Sequence, residues 1–264
     1  MSEILKQELV DGLLVLTMNR PERNNALNME LLTALLNATA AATDDPKVRA
    51  VLLTGAGGYF CVGGDVKAMN EGSGRDLSFG ERQHGLRDRM NVSRYLHEMP
   101  KPTIAAIEGA AAGAGLSMAL ACDFRICADN AKITTAFAKV GLSGDFGGTY
   151  FLSQIVGAAK ARELYLLSPK LSGKEAEELG LVTRAVAADQ VQTEARKFAM
   201  ELANGPTVTL GKIKQNLNLA EAGGSLGACF DQEARNHSLC TETNDHKEAA
   251  AAFVEKRQPV FVGN

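Results

Sequence analysis

The order of elements along the chain predicts an α/β core followed by an all-helical C-terminal section. Three observations carry that expectation. Apolar, β-rich runs alternate with helical stripes through the first half of the chain. Glycine-dense turns close two of the runs, at Tyr59 to Asp65 and around Gly109 to Gly115. Beyond Pro206 the pattern is helical to about Glu255, broken at Gly223-Gly224.

Residues 4–10 and 13–18 read as two strands joined by Asp11-Gly12, a strong hairpin signal. Pro21 closes the second strand, because it lacks a donor and restricts the residue before it. From Asn28 to Thr43, Leu31, Leu32, Leu35, Leu36 and Ala42 form a helical stripe with Asn28 as cap. Val48 to Thr54 is a buried strand. Val66 to Met69 reads as a helical turn, and Glu71 to Ser78 as a polar flap. Gly80 to Glu98 is expected as one charged amphipathic helix, stopped by Pro100 and Pro102. Thr103 to Ile107 is the next core strand and feeds a helix beginning near Gly113. Asp123 to Cys127 and Lys132 to Thr135 read as short strands. Helices are expected at 147–156, 158–167, 173–179 and 189–203.

Composition narrows the function classes. The 264 residues suffice for one large domain, or a core plus an appendage. Hydrophobic content of 45%, charged content of 22% and a net charge of −3 describe an ordinary soluble globule. Nothing here argues for nucleic acid or an anionic membrane surface as a partner, although a phosphate-bearing ligand needs only a few local cations. Five cysteines with no CxxC spacing read as reduced, buried apolar residues rather than metal ligands. With no signal-like start and no apolar membrane-length run, the expectation is a cytoplasmic protein without a metal site. The loop at 55–58 follows a strand but lacks the third glycine and the helix of a dinucleotide fingerprint.

The two glycine-dense turns carry chemistry. YFCVGGD (Tyr59 to Asp65) and EGAAAGAGLSMALACD (Glu108 to Asp123) each end an apolar strand. Small residues let a ligand approach the backbone, so each turn can aim an N–H at one carbonyl oxygen. Ala114 would lie in the first turn of its helix, where N–H groups lack intrahelical acceptors and the dipole favours negative charge. Close helix–strand packing alone would also use Gly113, Ala114 and Gly115.

NRPERNNAL (Asn19 to Leu27), VLLTGAGGYFCVGGDVKAM (Val51 to Met69) and EGAAAGAGLSMALACDFRICADNAKI (Glu108 to Ile133) resemble the crotonase family, the enoyl-CoA hydratase/isomerase superfamily. GLVTRAV (Gly180 to Val186) and AFVEKRQPVF (Ala252 to Phe261) match its later segments, so the likeness spans nearly the whole chain. The resemblance implies a spiral core of ββα units over 1–195 and a helical trimerisation region over 196–264. It also implies a coenzyme A thioester substrate, no further cofactor, and assembly as trimers or dimers of trimers. The thioester oxygen would sit between the N–H groups of Gly64 and Ala114. The backbone near Arg23, Gly63, Asp65 and Val66 would surround the CoA. Phe253 and Lys256 would reach the CoA of a neighbouring subunit. Arg23 and Lys256 suit phosphates or are ordinary solvated charges.

Hydration in that family uses two glutamates around one water. One stands three residues after the second oxyanion N–H, here Ser117; the other stands fourteen residues after Asp123, here Phe137. Neither is a carboxylate. Within GLSGDFGGTYFL (Gly141 to Leu152), Asp145 stands where dienoyl-CoA isomerases and phenylacetate-pathway isomerases of the family place an aspartate. Beside Phe137 and Phe146 in sequence, its pKa would be raised toward a proton shuttle. As a small polar residue before a helix, it also suits an N-cap. Ser117 is read as bonded within its helix, or to substrate or water.

The sequence therefore favours a double-bond isomerase with Asp145 as acid and base. The alternatives are a hydratase or lyase borrowing Glu71, Asp76, Glu81 or Asp88, and an acyl-CoA-binding protein without turnover. Using Asp145 as a nucleophile is a minor branch. Phe137, Phe146, Met69 and Met90 suggest an apolar or aromatic acyl pocket.

Overall fold

The computed structural model describes residues 3–65 and 76–264. Strands β1 (Leu5–Val10) and β2 (Leu13–Met18) form the expected hairpin. Asp11 and Gly12 both take positive φ (48° and 83°), as a two-residue turn with the right twist requires. β2 is buried nearly throughout while β1 faces solvent, so β1 is the edge.

The main sheet has six strands in the order β1-β2-β3-β4-β6-β8. They include β3 (Ala50–Gly55), β4 (Thr103–Ile107), β6 (Phe124–Ala128) and β8 (Arg184–Val186). All neighbours after the hairpin are parallel, with Leu53 opposite Ala105 and Ala105 opposite Arg125. β3 and β4 are buried on both faces, which is why they read as continuous apolar runs. A second pair, β5 (Ala110–Ala112) and β7 (Lys132–Thr134), runs parallel beside the main sheet. β5 is an addition to the sequence reading. Three alanines carry no strand signature, and the pairing with β7 defines them.

Helix α1 (Met29–Asp44) starts at Asn28, whose side chain accepts from the Leu31 N–H at 2.9 Å. The single helix expected over 80–98 is instead two, α2 (Phe79–Arg89) and α3 (Asn91–Glu98), meeting at Met90. α2 buries no residue; α3 buries Val92, Ser93 and Leu96. The change at Met90 lets α3 turn its apolar face to the core while α2 stays in solvent. The readings at Val66 to Met69 and at Glu71 lie outside the described residues. Helix α4 (Ala114–Ala121) is buried along its whole length, as expected for the centre of the core.

Helix α5 (Gly148–Leu167) contains a break at Gly157 (φ 76°, ψ 159°), where the sequence separates two helices. Then come α6 (Gly173–Glu178), α7 (Val191–Ala203), α8 (Thr207–Glu221), α9 (Leu226–Thr241) and α10 (Asn244–Glu255). A buried ion pair fixes α8 to the sheet. Lys214 Nζ donates to Asp123 Oδ2 at 2.8 Å and to the Leu96 and Lys101 carbonyls. The same carboxylate oxygen accepts the Thr103 N–H at 2.7 Å, which ties the pair to the start of β4.

Candidate active site

Two backbone turns meet at the ends of β3 and β4. Cys61 forms a parallel bridge with Ala111, the Cys61 N–H donating to Ala110 O and the Ala112 N–H to Cys61 O. Beyond that bridge the turn after Cys61 runs on toward the start of α4. The approach is close: a Cβ on Gly63 would lie 2.9 Å from Ala112 O and 3.4 Å from Ala114 N. Gly63 itself has φ 89°, a conformation that side chains resist.

The direction of each N–H follows from its neighbours. The Leu27 N–H donates to Gly63 O, and the Asp65 N–H donates to Leu27 O. Gly64 therefore turns its own N–H away from Leu27, since residues flanking a parallel bridge bond on one side only. Ala114 is the first residue of α4, where no intrahelical acceptor exists. Gly113 before it sits at φ 52°, ψ −128°, and its N–H is taken by Thr134 O.

The upstream turn is held by residues the sequence reading did not single out. Asn25 is fully buried, its amide donating to Ala56 O and Tyr59 O at 2.9 and 2.7 Å while its oxygen accepts the Arg20 N–H. Arg20 donates to Asp65 Oδ2 at 3.2 Å and also to Ala26 O. Asp65 is thus paired with Arg20 by its side chain. The doubled asparagine at 24–25, both residues at positive φ, was the available signal.

Asp145 lies in the loop between Gly144 and Gly148, which packs on Tyr165 and Ser117. Its Oδ1 is buried with no hydrogen-bond partner among the described residues. Burial pushes the carboxyl up to about 6. The capping role is not what the side chain does: α5 is preceded by Gly147 with no side-chain cap, and Asp145 contributes only its carbonyl, to the Gly148 N–H. The next residue, Phe146, is buried at φ 50°.

Ser117 lies one turn into α4, 1% exposed, and donates to Gly113 O at 3.3 Å. It is satisfied by its helix, as one of the two expectations had it. The Tyr165 hydroxyl lies beside it across Gly148, and burial pushes that phenol up to about 12. Phe137 is buried in a short 3-10 turn (Phe137–Val140) and stacks on Tyr165, centroids 6.0 Å apart and planes 2° from parallel. A side chain at Gly148 would strike both the Ser117 and Tyr165 hydroxyls. Ser117, Phe137 and the Asp145 segment therefore converge on one ring, Tyr165, which no local pattern announced.

A cavity of about 460 Å³ opens beside Phe146, lined also by Met90, Ser93, His97, Tyr150 and Phe151. The rings of His97, Tyr150 and Phe151 pack edge to face or tilted, 5.1–6.3 Å apart. Of the residues expected to form an apolar or aromatic pocket, Met90 and Phe146 line this cavity beside the charged Arg87, Arg94 and Glu98, Phe137 does not line it, and Met69 and Val66 lie outside the described residues.

Three further expected residues lie on the surface, Arg23 one residue before Asn24, whose carbonyl accepts the Val62 N–H. Arg23 is exposed in the short turn Pro21–Arg23. Phe253 is 86% exposed and Lys256 caps α10 at φ 55°. The tail beyond α10 is held near Arg49, which donates to Phe261 O. Arg49 precedes β3, at the opposite end from Gly63. Of the acids that might be borrowed, Glu81 is occupied in a capping box with Ser78, and Asp88 faces His84 on exposed α2. Asp76 is exposed, and Glu71 lies outside the described residues. No group of three metal-ligating side chains occurs among the described residues.

This geometry has close relatives. A family model described as enoyl-CoA hydratase/isomerase matches residues 8–264. The chain is 38% identical to 1,2-epoxyphenylacetyl-CoA isomerase of Escherichia coli (strain K12), covering 100% of both chains. It is 34% identical to crotonyl-CoA hydratase of Syntrophomonas wolfei subsp. wolfei, covering 98% of this chain and 97% of that one. Among solved structures, enoyl-CoA hydratase from Polaromonas sp. JS666 superposes with a TM-score of 0.91 at 33% identity, covering 97% and 99%. Match, identity and superposition run the length of the chain: it belongs to the enoyl-CoA hydratase/isomerase family, of the crotonase superfamily.

Proposed function

We propose that this protein is an isomerase of an unsaturated acyl-CoA, with Asp145 as the acid and base. The observation that carries this reading is the buried Asp145 Oδ1, unpartnered among the described residues, in a loop packed through Gly148 against Ser117 of the helix that begins at Ala114. The carboxylate takes a proton from the α or γ carbon of the acyl group. The electron pair moves onto the thioester, and the resulting enolate oxygen accepts from the Gly64 and Ala114 N–H groups. Each such donor supplies roughly 3–4 kcal/mol to a developing oxyanion. The protonated Asp145 returns the proton to the other carbon, so the double bond moves and the formula is unchanged.

A pKa near 6 suits both halves of that cycle. Positions 117 and 137 hold a serine and a phenylalanine, so no pair of carboxylates is available there to hold a water. The aromatic walls of the cavity beside Phe146 suit an aryl or polyunsaturated acyl group. The Escherichia coli relative is named as an isomerase of 1,2-epoxyphenylacetyl-CoA, which fits that chemistry. Arg23, with the backbone of Gly63, Asp65 and Val66, is proposed to hold the CoA. Phe253 and Lys256 reach it from a neighbouring copy. The exposed apolar side chains of α9 and α10 (Leu226, Phe230, Phe253, Val254) support such self-association into trimers.

Exchange of Asp145 for Asn, assayed with 3-enoyl- and dienoyl-CoA thioesters, tests the reading. The double-bond shift is expected to fall by about 10²–10⁴-fold while thioester binding persists. Wild-type turnover in D145N would overturn the role. Incorporation of solvent ¹⁸O into the wild-type product would establish hydration in place of isomerisation.

A further inference from the structure

We infer that Tyr165 is the positioning residue for Asp145, holding the loop that carries it against the helix that carries Ala114. The inference rests on the role of Asp145 proposed above. Four contacts of one side chain carry it. The ring edge lies against Gly144, where a Cβ would come within 3.0 Å of Cε1. The hydroxyl lies against Gly148, where any side chain would strike it. Asp145 stands between these two glycines, so the loop is seated on the tyrosine from both sides. The hydroxyl also stands beside Ser117 Oγ on α4, both facing the Cβ that Gly148 lacks, and the ring face stacks on Phe137.

These contacts join three segments that share no secondary structure: the 137–140 turn, the 144–148 loop and the first turns of α4. Tyr165 projects from the far half of α5, beyond the Gly157 break, so the loop at one end of that helix is braced by its other end. The ring's partners matter because Asp145 Oδ1 has no hydrogen bond of its own among the described residues to fix it. An unanchored carboxylate keeps its aim only if its backbone is held. Misplacement of a reacting group by about 1 Å is enough to cost about 10²-fold in rate. Tyr165 touches no reacting atom in this scheme, and its action is through the loop.

The experiment compares Tyr165→Leu, Tyr165→Phe and Asp145→Asn with wild type, using a 3-enoyl-CoA thioester. Tyr165→Leu removes the stack and the hydroxyl together. It is expected to lower kcat by about 10–100-fold with KM within about twofold, since the oxyanion turns and CoA contacts are intact. Tyr165→Phe keeps the ring between Gly144 and Phe137 and is expected to recover most of that loss. A purely structural tyrosine would lower the melting temperature without that kcat-against-KM split. If Tyr165→Leu fails to fold, Tyr165→Ile at the same position decides. Wild-type kcat in the leucine or isoleucine variant, or equal loss in kcat and binding, would overturn the inference. Inactive D145N beside fully active Tyr165 variants would remove this role alone; active D145N would remove the base assignment with it.

Discussion

Asp145 shows how burial sets both reactivity and stability at a single residue. Its folded pKa of about 6 lies above the usual aspartate value of 3.8 because the carboxylate is desolvated. As a base it must be ionised, so kcat/KM should fall about tenfold per pH unit below about 6. The stability consequence has the opposite sense from a salt-bridged aspartate. The folded state holds the proton more tightly, so the neutral form's stability is fully present below about pH 4 and lost as pH rises through about 6. Asp145→Asn should therefore stabilise the fold at pH 7.5 by an amount on the order of 1–3 kcal/mol, seen as a higher melting temperature, and should match wild type below about pH 4. Thermal melts across that range check it. The acid was legible from its position in the sequence, but its lack of any partner was not. A cap and a buried orphan look alike when only the spacing to the next helix is known.

At the scale of elements, the oxyanion turns depend on backbone conformations rather than side chains. Gly113 takes φ 52°, ψ −128° immediately before α4. A Cβ there would meet nothing closer than 3.8 Å, so the cost of Gly113→Ala is conformational and not steric contact. That cost is about 1–3 kcal/mol if the backbone stays, and relaxation would swing the Ala114 N–H away. The expected outcome is a loss of about 10²-fold in kcat, the effect of losing one oxyanion donor. Steady-state kinetics beside a melting curve separate the two. The glycines of both turns were readable because only they permit such geometry. The single helix expected over 80–98 was not so readable. Its polar half and its apolar half join without a proline or glycine, and the turn at Met90 follows from where α3 buries Val92 and Leu96.

For the whole molecule, the C-terminal helices are fixed to the sheet by buried charge. Lys214 and Asp123 are 8% and 22% exposed in their side chains and meet at 2.8 Å, with Leu96 O, Lys101 O and Thr103 completing the set. Removing one partner leaves the other charge buried. Lys214→Ala is therefore expected to destabilise by about 3–5 kcal/mol in denaturant unfolding. Asp145 would be intact, so activity measured well below the transition should change little by comparison. A lysine inside an α8 stripe reads in sequence as a solvated charge, and its partner lies 91 residues away.

The sequence by itself determined the α/β order, the family resemblance, the two glycine turns and the loss of both carboxylates at 117 and 137. Each of these is written locally, as a periodicity, a spacing or a residue that alone tolerates a given backbone. Only the tertiary structure decided that Asp145 caps nothing, that Asp65 is bound to Arg20, and that Tyr165 gathers Ser117, Phe137 and the 144–148 loop. Periodicity tells which face a side chain occupies. It carries no information about which side chain, tens of residues away, will be packed against that face when the chain closes.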